Sequence, residues 1–174
     1  MNEINMMTEF QEIKINLQIR DFVCQTCVAL NNCSWDEFVK QCDKIDFNYS
    51  IENYSPEIKK RQCWMRQDFD GITHLLALLP KHNSDHAQLT RHITPYQVRR
   101  ITDEPNTFEA ISQLVIYRTE WDSDNSHLKS GATSLYVVGK YIDKIKVVAD
   151  GFLLSSRVVD LDTRQVGTGS HMLL

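Results

Sequence analysis

The sequence predicts an α+β fold, with N-terminal helices packed on a long, strongly curved antiparallel sheet. Three observations carry this expectation. Apolar residues recur at helical spacing in the first third of the chain. Four long strand-like segments follow one another after Leu89. The connections between those segments are short and rich in turn residues. Consecutive strands with short connections pair as an antiparallel meander, because a parallel pair needs a crossover of about a dozen residues or more. At 174 residues the whole chain, 1–174, reads as one domain, long enough to bury a proper core.

Each element has its own signal. Phe10, Ile13, Leu17, Cys24 and Val28 recur at three and four, which predicts a first helix from Phe10 to about Leu30 with that stripe on the core. Asn31 and Asn32 break the run. In "SWDEF", Ser34 can cap the first amides and Glu37 can reach back. Such a capping box predicts a short helix from Trp35 to about Cys42. "KIDFNYSIENY" alternates through Ile45, Phe47, Tyr49 and Ile51, the pattern of a strand with one buried face. A third helix fits Asp70 to Leu79, with Pro80 as its stop.

The sheet segments follow: Leu89–Asp103, Thr107–Trp121, Ala132–Val148 and Phe152–Leu161. "DEPN" and "DSDNSHLKSG" are loop composition, "ADG" is a tight turn, and "SHMLL" predicts a last short strand. Gly139 interrupts the third segment, where a glycine marks a bulge or bend. Both faces read apolar. Leu135, Val137 and Tyr141 share one face of the third segment, and Tyr136, Val138 and Ile142 the other. In the second, Ile111, Val115 and Tyr117 stand against Leu114 and Ile116. An antiparallel sheet with one wet face alternates more cleanly. The helices can cover one face, and a partner subunit is the simplest cover for the other.

Composition narrows the function classes. Hydrophobic content of 42% and charged content of 24% are ordinary for a soluble globular chain. A net charge of −4 without a dense Lys/Arg stripe points away from nucleic acid and anionic membrane. No apolar run reaches the length of a membrane span, and "MNEINMMTEFQEIK" lacks the pattern of a signal peptide, so the expected location is the cytoplasm. The odd set Cys24, Cys27, Cys33, Cys42 and Cys63 reads as reduced thiols.

Candidate chemistry is sparse. Cys24-x2-Cys27 and His82-x3-His86 have metal-like internal spacings, but 54 residues separate the pairs and the thiols fall on a helix that wants apolar groups. His82, Asp85 and His86 have the makings of a two-histidine, one-carboxylate iron site. They fall in "HNSDH", however, whose Asn and Ser compete for backbone bonds, so a surface loop is expected. No Gly-x-Ser-x-Gly elbow and no phosphate-binding glycine motif occurs. His92 remains. On an inward face of the sheet it could act as a general base, oriented by Asp46, Asp68 or Asp143. The competing reading is an Arg91-His92 pair that bonds neighbouring structure or a partner chain.

Helices followed by a long bent sheet resemble the cystatin-like cone of the nuclear-transport-factor type, a fold that hosts many activities. The C-terminal half is more specific. "LTRHITPYQVRRI" resembles the Arg-His strand opening of the small (beta) subunits of Rieske-type aromatic-ring-hydroxylating oxygenases. "ISQLVIYRTEW", with Ser112, Tyr117 and Arg118, resembles their next strand. "VVGKYIDKIKV", with Gly139, Lys140 and Asp143, resembles the one after. "ADGFLLSSRVVDLD", with Asp150, Gly151, Phe152, Arg157, Leu161 and Asp162, resembles the last. The match spans Thr90 to Leu174. "HNSDHAQLTRH" replaces the usual Trp-Ser and Arg-x-Arg-His approach, and Tyr96 a usual Asn, which implies a divergent branch. The middle, "SPEIKKRQCWMRQDFDG…LLPKHNSDH", resembles the methanesulfonate monooxygenase branch of this family.

The resemblance implies a subunit of an NADH-dependent oxidoreductase with no catalytic residues and no cofactor of its own. The Rieske 2Fe–2S cluster and the mononuclear iron are then expected in a partner alpha subunit, within an α3β3 assembly with beta–beta trimer contacts. A Rieske site needs Cys-x-His and Cys-x2-His pairs, and no cysteine here has a histidine at either offset. Arg91, His92, Tyr117, Arg118 and Arg157 are the candidates for intersubunit or intra-sheet polar bonds. The alternative expectation is a free-standing cone-fold dehydratase or isomerase using His92 and a pocket carboxylate. A cone plugged by side chains such as Phe47, Trp64 and Leu135 would exclude it.

Overall fold

A computed structural model describes residues 3–82, 87–120, 131–165 and 173–174. The elements in chain order are α1 (Glu3–Asn31), α2 (Trp35–Lys40), β1 (Asn48–Ser55), β2 (Lys60–Asp68), α3 (Phe69–His82), β3 (Gln88–Arg100), β4 (Thr107–Thr119), β5 (Thr133–Val148) and β6 (Gly151–Leu161). One curved sheet runs in the order β2-β1-β6-β5-β4-β3. The expected meander is present: β3, β4, β5 and β6 pair antiparallel in sequence.

The sheet is mixed, not wholly antiparallel. β1 joins β6 in parallel, from Asn48↔Ser156 to Asn53↔Leu161. Most of the chain lies between these two strands, which supplies the long crossover that parallel pairing needs. β2 was not expected. It pairs antiparallel with β1 at the sheet edge, and nearly all its side chains are exposed or half-exposed. With one face unburied, "KRQCWMRQD" has no reason to alternate. Its Lys60, Arg61 and Arg66 are the charges by which an edge strand resists further pairing.

The α1 stripe is reversed. Burial begins at Ile19 and continues through Phe22, Val23, Thr26, Cys27 and Leu30. The expected core stripe faces outward: Phe10 is 66% exposed, Leu17 61% and Val28 55%. At about 100° per residue the two stripes lie about 150° apart on one helix. Both are apolar, so periodicity alone could not choose between them.

Two end signals also failed. Ser34 makes no side-chain cap with Glu37; its main-chain carbonyl accepts the amides of Glu37 and Phe38, at 3.0 and 3.1 Å. α3 runs on through Pro80 to His82. A proline this close to a C-terminus removes one helical bond, to the carbonyl of Leu76, and the final turn still closes. The other α3 end is anchored by Asp68, whose Oδ1 accepts the Gly71 amide at 2.8 Å.

Curvature comes from register shifts at Ile51/Glu52, Pro95/Gln97, Ile116/Tyr117 and Lys144/Ile145. Gly139 is at none of them. Its role is close approach: a Cβ there would stand 2.4 Å from the Asp160 carbonyl oxygen and 2.9 Å from the Leu161 Cα. The concave face buries Phe108, Ala110, Leu114, Ile116, Val137, Tyr141 and Ile145 beneath the helices. Leu135, expected beside Val137, is 58% exposed. Leu173 and Leu174 are buried but are not in a strand, and the rest of "SHMLL" lies outside the described residues. The Tyr49 hydroxyl donates to the Leu174 main-chain oxygen and accepts the Leu174 amide, each at 3.0 Å.

Candidate functional site

Two regions bear on function: the interior of the cone and the outer, convex face of the sheet. The interior is polar at its heart. Asp143 on β5 and Arg157 on β6 are directly opposed in register and fully buried. The guanidinium forks onto the carboxylate, Nε to Oδ1 and Nη2 to Oδ2, both at 2.8 Å. Nη2 also donates to the Thr26 hydroxyl on α1 at 2.7 Å. The Arg157 ζ carbon lies 4.1 Å from the Tyr141 ring centroid. Burial alone would lower the Arg157 pKa, but the Asp143 charge and hydrogen bonds raise it above the ordinary value.

Arg91 is the second buried cation. Its amide donates to Asn31 Oδ1 at 2.8 Å, and Asn31 Nδ2 donates back to the Arg91 carbonyl at 3.0 Å. α1 and β3 are thereby joined through main chain. The Arg91 guanidinium donates to Leu89 and Leu173 main-chain oxygens. Burial pushes the Tyr141 hydroxyl up to about 12, and the Cys42 thiol likewise to about 12.

The sequence candidates separate by strand parity. Arg91 points in, so His92 points out; it is exposed, with its ring edge-on to Tyr117 at 5.6 Å and 87°. His92 is therefore not an interior base. Its proposed orienters are engaged elsewhere: Asp143 with Arg157, Asp46 with Lys146, and Asp68 with the Gly71 amide. Arg118 pairs with Glu120 at 2.9 Å. Of the three side chains whose presence in the cone would exclude a free-standing enzyme, Phe47 is buried, whereas Trp64 and Leu135 are exposed; Arg157, Tyr49, Tyr141 and Arg91 are among the buried side chains of the interior.

Asp85 and His86 lie outside the described residues, and of the His82 loop only the helix end at His82 is described. Among the described residues no group of three His, Cys, Asp or Glu side chains is placed to hold a metal ion, and no helix is long and apolar enough to cross a membrane. All five cysteines are free; Cys27 and Cys42 are buried, Cys24 half-buried, and Cys33 and Cys63 exposed.

Sequence reasoning missed the Asp143–Arg157 pair as a unit. The signal was available in the hairpin: the two-residue turn Ala149-Asp150, with one residue of bulge, puts 143 opposite 157. Thr26 and Asn31 had no such signal, because both act through contacts between α1 and the sheet.

The convex face carries half-buried Ile111, Val115, Val138 and Ile142, with exposed Tyr117, Leu135 and His92 beside them. On the opposite side of the sheet, the outward stripe of α1 exposes Phe10, Ile13, Leu17 and Val28; clustered exposed apolar side chains mark contact surfaces.

No protein-family model matches the chain. It is 34% identical over 153 residues to the beta subunit of the methanesulfonate monooxygenase hydroxylase of Methylosulfonomonas methylovora, covering 88% of this chain and 83% of that one. It is 31% identical over 156 residues to the beta subunit of 2-aminobenzenesulfonate 2,3-dioxygenase of an Alcaligenes species, covering 90% and 97%. Among solved structures, a chain from Novosphingobium aromaticivorans, described as an aromatic-ring-hydroxylating dioxygenase beta subunit, superposes with a TM-score of 0.74 at 17% identity, covering 93% and 99%. A nuclear-transport-factor-like protein with a cystatin-like fold, from the same genus and species, gives 0.64 at 12% identity, covering 99% and 98%.

Proposed function

As the chain belongs to the family of Rieske-type oxygenase beta subunits that contains these two relatives, we propose that it is the non-catalytic beta subunit of a multicomponent oxygenase acting on an organosulfonate. The carrying observation is identity above 30% along nearly the whole chain to two beta subunits, both named for sulfonate-oxidising enzymes. Those names differ between mono- and dioxygenase, so the sulfonate is the shared chemistry.

In this reading the alpha subunit carries the Rieske cluster and the mononuclear iron. This chain offers no Cys-x-His or Cys-x2-His pair for such a cluster. Its task is to hold alpha subunits in register, in an α3β3 assembly with beta–beta contacts, in the cytoplasm. The apolar convex face and the outward α1 stripe support that task, with His92 and Tyr117 as polar-capable groups on the interface side. Arg91 and Arg157 serve inside the subunit, and Arg118 serves locally through Glu120.

The test is co-expression with the alpha subunit of an organosulfonate oxygenase. A complex containing iron, with the mass of three chains of each kind and NADH-dependent oxygen uptake on organosulfonates, is the expected result. Isolation as a lone monomer beside an active alpha subunit overturns the proposal.

A further inference from the structure

Leu173 and Leu174 fill part of the cone interior without belonging to any helix or strand. Leu173 is 0% exposed and Leu174 3%, and both are members of the main apolar core. Two side chains from distant strands hold their main chain. The Tyr49 hydroxyl on β1 donates to the Leu174 oxygen and accepts the Leu174 amide, each at 3.0 Å. The Arg91 guanidinium on β3 donates to the Leu173 oxygen. Among the described residues no main-chain hydrogen bond ties either leucine to the sheet.

The seat under these leucines is built without them. Asn31 on α1 bonds both the amide and the carbonyl of Arg91. The Arg91 guanidinium also donates to the Leu89 oxygen at 3.3 Å. Tyr49 stands in the sheet between Gln67 of β2 and Arg157 of β6. None of these ties involves residue 173 or 174, so the seat keeps its shape when the leucines leave. The occupant is held differently. Apolar burial keeps it in place, while its polar ties are side-chain bonds to Tyr49 and Arg91 rather than a strand ladder. Segments with few backbone bonds to the core open separately from it, at a lower free energy than global unfolding.

We propose that Leu173 and Leu174 are a detachable plug in a preformed peptide seat. The seat selects a pair of apolar side chains by burial. The Tyr49 hydroxyl reads the amide and the carbonyl of one residue, and the Arg91 guanidinium reads the carbonyl of the residue before it. With the plug out, the cone is an open pocket that takes a short apolar peptide. The seat lies within one subunit, so it does not rest on the assembly proposed above.

Two measurements test it on the full chain. In native-state hydrogen exchange read by NMR in low urea, the Leu174 amide is expected to exchange about a hundredfold faster than the Leu114 and Ile116 amides of β4, with little dependence on urea. Exchange of all three at one rate and with one urea dependence means that the leucines leave only when the whole chain unfolds, and overturns the proposal. The second measurement uses Leu173→Lys with Leu174→Lys. Two added cations beside Arg91 cannot be buried, so the plug is expelled and the seat vacated. Millimolar N-acetyl-Leu-Leu is expected to raise the unfolding temperature of this variant by about 2–4 °C. It should leave the unsubstituted chain unchanged, because a tethered plug outcompetes a free dipeptide. A folded variant indifferent to the dipeptide also overturns the proposal. The exchange measurement needs no variant, so it decides the matter if the double substitution does not fold.

Discussion

Asp143 and Arg157 illustrate how much a single pair can govern. With both side chains fully buried, Asp143→Asn leaves a guanidinium without its counter-charge. The expected loss is about 3–5 kcal/mol, read from urea unfolding. Replacing both residues by apolar ones of similar volume should recover much of it, since removing a whole buried pair is often neutral. At Gly139 the obstacle is backbone. An added methyl would press on the Asp160 carbonyl, which is held in the sheet, so Gly139→Ala should destabilise by about 1–3 kcal/mol in the same assay. Burial also sets an alkaline limit. Tyr141 and Cys42 hold their protons to about 12, whereas free tyrosine and thiol groups lose theirs near 10.0 and 9.0. Above those values the unfolded chain binds fewer protons than the native one, so stability falls with rising pH. The contribution should be complete below pH 9.0 and lost on the way to about 12. A urea midpoint that stays level across that window would contradict the assignment.

At the scale of elements, α1 has two halves with different roles. From Ile19 onward it buries side chains on β3 and β4; over residues 10–18 none is fully buried and only Ile15 packs partly against the core. A helical segment that length is marginal in water without a packed face. In the isolated chain its amides should exchange rapidly with deuterium, and in the oxygenase complex slowly. Leu17→Glu should leave the unfolding free energy of the isolated chain within about 0.5 kcal/mol, because the side chain faces water. In the complex the same change should weaken association by about tenfold or more, measured by sedimentation. Equal association of variant and parent would remove α1 from the interface. β2 differs: its basic, exposed edge reads as protection against sheet extension rather than as a docking strand.

For the whole molecule, the cone is filled rather than open at its centre, and His92, the candidate base, faces outward from the edge strand β3. Turnover per alpha-subunit iron should therefore survive His92→Ala within about twofold, whereas a general base would cost about a hundredfold or more. The measurement is NADH-dependent oxygen uptake by the assembled complex. A loss of complex mass in that variant would mark His92 as a contact residue; a loss of rate at full mass would restore it as a catalytic one.

The class of fold, the four-strand meander with nearly correct ends, and the family were legible in the residues alone. Local alternation, turn residues and short connections specify the fold class and the strands within a window of a few residues, and the resemblance of four strand motifs pointed to the family. The same motifs marked Arg91, His92 and Arg157 as the polar positions to watch. Which way they point was set by packing in three dimensions. The choice between inward Arg91 and outward His92 is a matter of register, which depends on β4 beside β3. The choice between two apolar stripes on α1 depends on where the sheet lies beneath it. β2 and the parallel β1–β6 pairing were invisible for the same reason: an exposed edge strand has no buried face to alternate, and pairing across most of the chain leaves no local trace.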